Sequence, residues 1–330
     1  MVDDKFKLLI ENSKILDEVK NTFGMNIFKK CNALNITMKN KVANANKINS
    51  AIDLIKGKTF LFSNFRGNNL LTTAVLIANE ENMEESLNNI IEIYEGLKNL
   101  FFNNQYLVLA AQIIFSARYR VNIYDAIKNT RVAYDYMKKN HRFLTGQEDI
   151  CSAAIIGTTS KDFEVTFLEI EECYNLLRNS GFCMGNNLQS LTNMLSLINL
   201  TSEEKVKKVN SLYNALENNN VPLKGYALPL LGIAPFITND YSDFAKEVSE
   251  VVISLRKERG FGIFSLNSYI RNMIAVGIVI SSYLDDLSYD IKENISNITN
   301  NTSLTIVIAM EIAASTAAAG AAAAAASANN

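Results

Sequence analysis

Residues 161–200 read KDFEVTFLEIEECYNLLRNS, GFCMGN and NLQSLTNMLSLINL, and they contain one complete unit of a repeat. In the first segment apolar residues recur at steps of three and four; these are Phe163, Phe167, Ile170, Tyr174 and Leu177. This spacing predicts an amphipathic helix with one apolar and one charged face, which we term the B helix. A polar turn and a shorter segment of small and aliphatic residues, the A helix, complete a helical hairpin.

The same unit recurs on both sides of this stretch. Tyr94, Tyr134 and Tyr213 are separated from Tyr174 by multiples of about 40 residues. A constant step of this size is typical of stacked helical hairpins, none of which can bury its apolar face alone. We interpret the tyrosines as the packing residue shared by successive hairpin interfaces.

The periodicity predicts about seven hairpins, beginning at residue 41. The expected B helices lie near 41–57, 81–99, 121–139, 161–179, 202–219, 241–258 and 285–299, and the A helices near 67–79, 105–118, 147–157, 187–199, 225–236, 267–283 and 303–325. An additional helix over 4–32 is expected to cap the first apolar face. Pro229 lies inside an A helix and predicts a short or kinked element there.

The chain shows no strand-like alternation, so its expected fold class is all-α. We predict a single helical-repeat domain over residues 1–301 and an Ala-rich C-terminal helix and tail over 302–330. The A helices are apolar nearly all round, as in AAQIIFSA, CSAAIIG and MIAVGIVI, and a helix that is apolar on all sides is a buried helix. The array is therefore expected to be a strongly curved solenoid or an α/α-toroid with the A helices inside.

Composition excludes several function classes. The net charge is −2, with Lys and Arg scattered among Asp and Glu, so no basic stripe is available to follow a phosphate backbone. The usual phosphate loop, dinucleotide turn and nucleophile elbow are absent. The four cysteines form no C-x-x-C pair, which indicates reduced thiols in a cytoplasmic protein and predicts neither a metal nor a cofactor.

The most polar segment, KKNHRFLTGQED at 138–149, joins a B helix to an A helix and holds the single histidine, His141. Glu148 or Asp149 could orient the imidazole as a general base. We favour the alternative in which Thr145 and Glu148 cap the next helix, Asp149 complements its dipole and His141 is a turn residue. No catalytic residue is assigned.

Polar side chains are rare on the A helices and would face a lumen or groove. Arg118, Arg271 and Asn272 are therefore candidate ligand-binding residues, together with His141, Glu148 and Asp149. The alternative for the two arginines is a helix-end residue that reaches solvent or a neighbouring carboxylate.

Two acidic strings invite a metal interpretation. Residues 285–290, DDLSYD, resemble the aspartate-rich motif of class I terpenoid synthases, and residues 239–247, NDYSDFAKE, look like that family's second metal motif. The strings come in the reverse of that family's order, and both begin B helices, where Asp and Asn are preferred caps. We interpret them as caps.

The apolar segment 304–326 is long enough to span a bilayer. Alanine is nearly neutral in membrane insertion, however, and Glu311 would be costly inside. A helix that docks on the last hairpin is the favoured interpretation, and membrane association is not expected.

The segment from Tyr134 through HRFLTGQED at 141–149, followed by CSAA, resembles a family of uncharacterised bacterial proteins of similar length with an Ala/Ser-rich C-terminus. That family is classed as a domain of unknown function. The resemblance implies a bacterial cytoplasmic setting and assigns no activity or site residue.

The sequence leaves the function unknown, and three hypotheses remain. The first is a non-enzymatic binding or scaffold protein whose inner or concave surface takes a protein, a peptide or a small apolar ligand. The second is an α/α-toroid enzyme that acts on an isoprenoid-like or peptide substrate. The third is a protein tethered to the membrane through residues 304–326.

Overall fold

The computed structural model describes residues 1–20, 22, 26–160 and 162–286. Within these ranges every regular element is a helix and there is no strand, which confirms the all-α class. The α-helices are α1 (Val2–Asp17), α2 (Asn26–Met38), α3 (Ala45–Lys58), α4 (Asn68–Ile77), α5 (Met83–Lys98), α6 (Tyr106–Ser116), α7 (Ile123–Asn140), α8 (Asp149–Thr159), α9 (Phe163–Asn179), α10 (Asn186–Leu195), α11 (Ser202–Asn218), α12 (Tyr241–Leu255) and α13 (Ser268–Asp286). Two 3₁₀ segments, Gly225–Gly232 and Ala234–Phe236, lie between α11 and α12.

Side-chain caps define where most B helices begin. In six of them an Asn, Asp or Thr side chain accepts a hydrogen bond from the backbone N–H three residues on; the capping residues are Asn44, Asn82, Asn122, Asp162, Thr201 and Asp240. Thr201 and Glu204 form a reciprocal capping box, as their spacing predicts. Asp240 acts as the cap of α12, so the cap interpretation of the acidic string at 239–247 is confirmed for that residue.

B and A helices alternate along the chain. The B helices are α1, α3, α5, α7, α9, α11 and α12, and the A elements are α2, α4, α6, α8, α10, the segment Gly225–Gly232 and α13. Each A element contacts the next in chain order, and α13 contacts α2. At that last contact the position of a Cβ on Gly277 lies 2.7 Å from Leu34 Cδ2. The contacts thus return to the helix where they start.

The N-terminal prediction is wrong. Instead of one helix over 4–32, the structure has the separate helices α1 and α2, which pack on each other as a hairpin. This hairpin is the first unit of the array and not a cap on it. Apart from residues 285 and 286, which end α13, the last predicted hairpin lies outside the described residues, as does the Ala-rich segment 302–330.

The effect expected of Pro229 is confirmed. The A element of that repeat is the 3₁₀ segment Gly225–Gly232, with Pro229 inside it. Proline lacks the N–H that an α-helix would need at this position, and its ring clashes with the preceding turn.

The repeated tyrosines pack as the sequence predicts. Each tyrosine lies on an aromatic ring from the B–A turn of the preceding repeat, with ring centroids 4.6 to 5.3 Å apart. The pairs are Phe65–Tyr94, Phe101–Tyr134, His141–Tyr174 and Phe182–Tyr213. His141 therefore occupies the position that a phenylalanine takes in the other three repeats.

The A helices are buried on nearly every side. All residues from 107 to 115 of α6 are buried, and the same is true of residues 69 to 77 of α4. Polar groups in this layer bond to each other: Gln112 Nε2 donates to Thr73 Oγ1 at 2.9 Å. The inner layer is therefore packed against its neighbours and offers little surface to a ligand.

In the part of the chain that the structure describes, no helix is both long and apolar enough to cross a bilayer.

Candidate functional site: the aromatic face

The B–A turns lie at one end of the molecule. Because every B helix is followed by an A helix that returns, successive B–A turns come side by side, and hydrogen bonds join them. Asn64 Nδ2 donates to Asn103 Oδ1 at 2.7 Å, Asn186 Nδ2 to Glu148 Oε1 at 3.2 Å, and Asn267 Nδ2 to the Tyr226 hydroxyl at 2.8 Å. These bonds place the turns in register along a single end of the array.

This end carries the exposed phenylalanines of the described residues. Phe60, Phe62, Phe102, Phe143 and Phe264 are 90% to 100% exposed, and all five lie in B–A turns. Leu61, Met184 and Ile263 are also exposed in these turns. Single exposed apolar residues are common on proteins, but a group on one surface is typical of an interaction site. We name the end formed by these eight residues the aromatic face.

Arg66 holds the loop that presents Phe60 and Phe62. Its guanidinium donates to the carbonyls of Lys56 at 2.8 Å, Thr59 at 2.6 Å and Phe60 at 3.2 Å. Three bonds from one planar group fix the loop backbone, since the donors of a guanidinium form a rigid fork. The exposed rings therefore project from an ordered loop.

Arg271 does the same for the loop that presents Ile263 and Phe264. It is 2% exposed and donates to the carbonyls of Phe261 at 2.7 Å, Gly262 at 2.9 Å and Leu266 at 2.6 Å. Burial lowers the pKa of this guanidinium.

A third loop is held by an amide. Asn104 Nδ2 donates to the Phe102 carbonyl at 2.8 Å, while Asn104 Oδ1 accepts from the Tyr106 N–H at 2.9 Å. In three separate turns, then, a polar side chain fixes the backbone beside an exposed phenylalanine. The exposed rings are therefore held at the surface by loops with a defined backbone conformation.

Cations surround the aromatic face. The last turns of α3, α5, α7 and α9 contain basic residues, and the first turns of α5, α7, α9, α11 and α12 contain acidic ones, a distribution that complements the helix dipole. Exposed cations at the aromatic end are Lys58, Lys138, Lys139, Arg142, Arg178, Arg256, Lys257 and Arg259, while the opposite end has the acidic first turns that contain Glu84, Glu85, Asp125, Glu164, Glu203, Glu204 and Asp243. Because the B helices run in one direction, the basic last turns fall at the aromatic end and the acidic first turns at the opposite end.

Two clefts open at this end. One has a volume of about 530 Å³ and lies beside Phe102, with Lys98, Arg131, Tyr134 and Lys138 in its wall. The other, of about 630 Å³, is lined by the turn residues Cys183, Met184 and Lys224 and by Tyr213 of α11. At the first cleft Arg131 pairs with Asp135 at 2.9 Å and Lys98 with Glu95 at 2.7 Å, while Lys138 Nζ donates to the Thr145 carbonyl at 3.1 Å. Three cations beside two carboxylates leave a net positive charge there, which suits an anionic group.

Arg118 lies away from the aromatic face. It lies two residues after α6 in an A–B turn, where its Nη2 atom donates to Glu80 Oε2 at 2.6 Å and its guanidinium lies 3.9 Å from the ring centroid of Phe115. These contacts match the alternative interpretation of a helix-end arginine that reaches a neighbouring carboxylate.

His141 ends α7, and its ring packs on Tyr174. The carboxylate beside the imidazole is that of Glu171, whose Oε1 lies 2.9 Å from Nε2 at an angle that makes no hydrogen bond. Neither Glu148 nor Asp149 orients the ring, which agrees with the favoured interpretation of His141 as a turn residue. The location of His141 is explained by its ring contact with Tyr174, which matches the contacts of the other three repeated tyrosines with phenylalanines.

Glu148 and Asp149 begin α8, but the predicted cap is wrong: Glu148 is the N-cap without a side-chain cap hydrogen bond, and Thr145 Oγ1 donates to the His141 carbonyl at 2.9 Å. Glu148 accepts from Asn186 Nδ2 across to the next turn. Asp149 is 2% exposed, and its Oδ2 accepts from the Gly146 N–H at 2.8 Å. Burial raises the pKa of Asp149 to about 7, although the bond from Gly146 opposes the shift.

The raised pKa of Asp149 predicts how stability depends on pH. Between about pH 4 and 7 the folded protein binds a proton that the unfolded chain releases, so stability falls as pH rises through this interval. Asp149→Asn keeps an acceptor for Gly146 and removes the charge. We expect the variant to be more stable than wild type at about pH 8, by roughly 3 kcal/mol, and equal to it at about pH 4.

Urea unfolding at both pH values measures the difference. A wild-type protein that becomes more stable relative to Asp149→Asn as pH rises would contradict a buried carboxyl with a raised pKa.

The six predicted ligand-binding residues do not converge. His141, Glu148 and Asp149 share one turn, Arg271 and Asn272 begin α13, and Arg118 lies at the opposite end. Asn272 donates to the Pro222 carbonyl at 3.0 Å, so it ties two turns together. Their role in ligand binding stays a prediction.

Sequence reasoning missed the exposed phenylalanines. FLFSNF at 60–65, LFF at 100–102 and GFGIF at 260–264 each place aromatic residues in a polar turn, which was a usable signal. In each stretch one ring is buried, Phe65, Phe101 or Phe261, and another is exposed.

The described ranges contain no group of three or more His, Cys, Asp or Glu side chains placed to hold a metal ion. Of the acidic string at 285–290, only residues 285 and 286 fall within them, and Asp285 Oδ2 lies 2.7 Å from Lys5 Nζ.

Comparisons with known proteins identify a relative and a family for this chain. The chain is 24% identical over 236 residues to "Uncharacterized protein YeaA" of Bacillus subtilis (strain 168), an alignment that covers 70% of each protein. No solved structure matches the chain. A family described as "Protein of unknown function (DUF4003)" matches residues 13–313, which is most of the sequence. The chain therefore belongs to the DUF4003 family.

Proposed function

We propose that the protein is a non-enzymatic binding or scaffold protein that binds its partner through the aromatic face. The observation that carries this proposal is the group of almost fully exposed phenylalanines at one end, on loops that Arg66, Asn104 and Arg271 hold by hydrogen bonds. An ordered apolar surface has a favourable free energy of burial against a partner and little entropy to lose on binding.

The proposed binding surface, the aromatic face, differs from the inner or concave surface that the sequence predicts. Binding at the inner surface would require a groove between A helices, and those helices are buried on nearly every side. The turns, in contrast, are open and lie next to two clefts. We also propose that the helical repeats close into a toroid, supported by the contact between α13 and α2. A cytoplasmic location, supported by the cysteine pattern, is part of the same proposal.

Site-specific photo-crosslinking in bacterial cells tests the binding surface. A photoreactive phenylalanine analogue at position 62 or 102 is expected to give a crosslinked product, because both side chains project from the aromatic face. The matched control is position 119, where Tyr119 is 86% exposed in an A–B turn at the opposite end. Equal products from all three positions, or none at 62 and 102, would overturn the proposal.

A further inference from the structure

We propose that the partner of the aromatic face is the surface of an anionic phospholipid bilayer, with the exposed phenylalanines inserted below the headgroups. This inference rests on the proposed function and names the partner. It concerns peripheral contact and requires no helix that crosses the membrane.

The distribution of apolar side chains favours a bilayer over a folded protein. The five phenylalanines project from the turns of four repeats, with Phe60 and Phe62 in one turn and Phe102, Phe143 and Phe264 in three others. A protein partner would need a matching pocket for each ring, whereas a bilayer accepts apolar groups at any lateral position. Phenylalanine has no polar atom to keep in water, so its ring gains free energy by burial at the boundary of headgroups and acyl chains.

The charge of the same end favours anionic lipids. Arg142 directly precedes Phe143, and Arg256, Lys257 and Arg259 precede the loop of Phe264; all of these cations are exposed. Each cation near an anionic membrane surface adds to the attraction. The acidic first turns of the B helices lie at the other end, where they would face away from the lipid.

The cleft beside Phe102 provides a place for a lipid phosphate. Lys98, Arg131 and Lys138 line this cleft of about 530 Å³, and Phe102 is 93% exposed at its edge. A headgroup in the cleft would meet cations, while the phenylalanine beside it would meet acyl chains. Apolar and cationic groups are thus paired at short range, as insertion into an anionic surface requires.

The absence of tryptophan from the sequence permits a direct test on the full-length protein. Phe62→Trp and Phe264→Trp each place the only tryptophan of the variant on the aromatic face, and Tyr119→Trp is the matched control at the opposite end. With vesicles of equal parts phosphatidylglycerol and phosphatidylcholine, the first two variants are expected to show a blue-shifted emission that brominated acyl chains quench. Tyr119→Trp is expected to show neither effect.

Two further measurements separate the apolar and the charged contributions. Serine at both 62 and 264 is expected to lower partition into the anionic vesicles about 100-fold, at about tenfold for each ring. Arg142→Glu is expected to weaken binding at low salt and to have less effect at high salt, because salt screens the attraction. Pure phosphatidylcholine vesicles are expected to bind weakly.

The outcomes separate this inference from the proposed function. No blue shift at position 62 or 264 with anionic vesicles, or equal binding by the double serine variant, overturns the membrane inference. If position 62 then still crosslinks to a protein in cells, the aromatic face remains a binding surface with another occupant. A shift that depends on protein concentration without vesicles would identify a second copy of the chain as that occupant.

Discussion

Gly157→Ala is expected to destabilise the protein by about 3 kcal/mol or more, among the largest effects of any single methyl group in this chain. A Cβ at position 157 would lie 2.7 Å from the Thr130 backbone nitrogen and 2.9 Å from the Asn129 carbonyl carbon. Because the obstacle is main chain of α7 and not a flexible side chain, the two helices must move apart.

The matched control for this substitution is Gly57→Ala. Gly57 lies in α3, and nothing stands within 4 Å of its Cβ position. Alanine there is expected to stabilise the helix by up to about 1 kcal/mol, since glycine has the greater conformational freedom in the unfolded chain. Urea unfolding of both variants gives the comparison, and similar changes in stability at the two positions would contradict the close approach of α7 and α8.

Arg271→Met is expected to cost roughly 3 to 5 kcal/mol of stability. The variant leaves the carbonyls of Phe261 and Leu266 without the guanidinium donor, whereas the Gly262 carbonyl keeps the backbone N–H groups of Ser265 and Leu266. Buried acceptors without a partner carry the full cost of desolvation. Arg271→Lys is expected to recover only part of the loss, because an ammonium group cannot reproduce the planar fork.

Arg256→Met controls for the loss of a positive charge near the same loop. Arg256 is exposed at the end of α12, so its substitution is expected to change stability by about 0.5 kcal/mol at most. If Arg271→Met were as stable as Arg256→Met, the guanidinium would not be holding the loop.

The sequence predicts the helices of this fold well because their signals are local. The capping box at Thr201 and Glu204 and the proline at 229 act within a few residues of themselves. The sequence did not predict the break between α1 and α2, because the step from Leu16 to Val19 continues the spacing of an apolar helix face across the end of α1. Periodicity cannot show whether a helix continues straight or turns back.

The aromatic face could not be predicted from periodicity, because exposure in a turn depends on the next repeat. Phe101 is buried by Tyr134 of the following hairpin, while its neighbour Phe102 has no such cover. The role of Arg271 was similarly hidden. Its rarity on an A helix suggested a lumen, but the carbonyls it bonds lie in a loop that the sequence does not place.

The contact between α2 and α13 has a consequence for synthesis of the chain on the ribosome. Leu34 is translated more than two hundred residues before Gly277, its neighbour in the folded protein. Until α13 emerges, the early hairpins have an uncovered apolar flank, which would attract chaperones or other nascent chains. An open array would tolerate stepwise truncation. In this protein a stop codon before residue 268 removes α13, which contacts both α2 and the segment Gly225–Gly232. The apolar surfaces of those two elements would then be uncovered together, so premature termination is expected to yield aggregates in place of a shorter, soluble array.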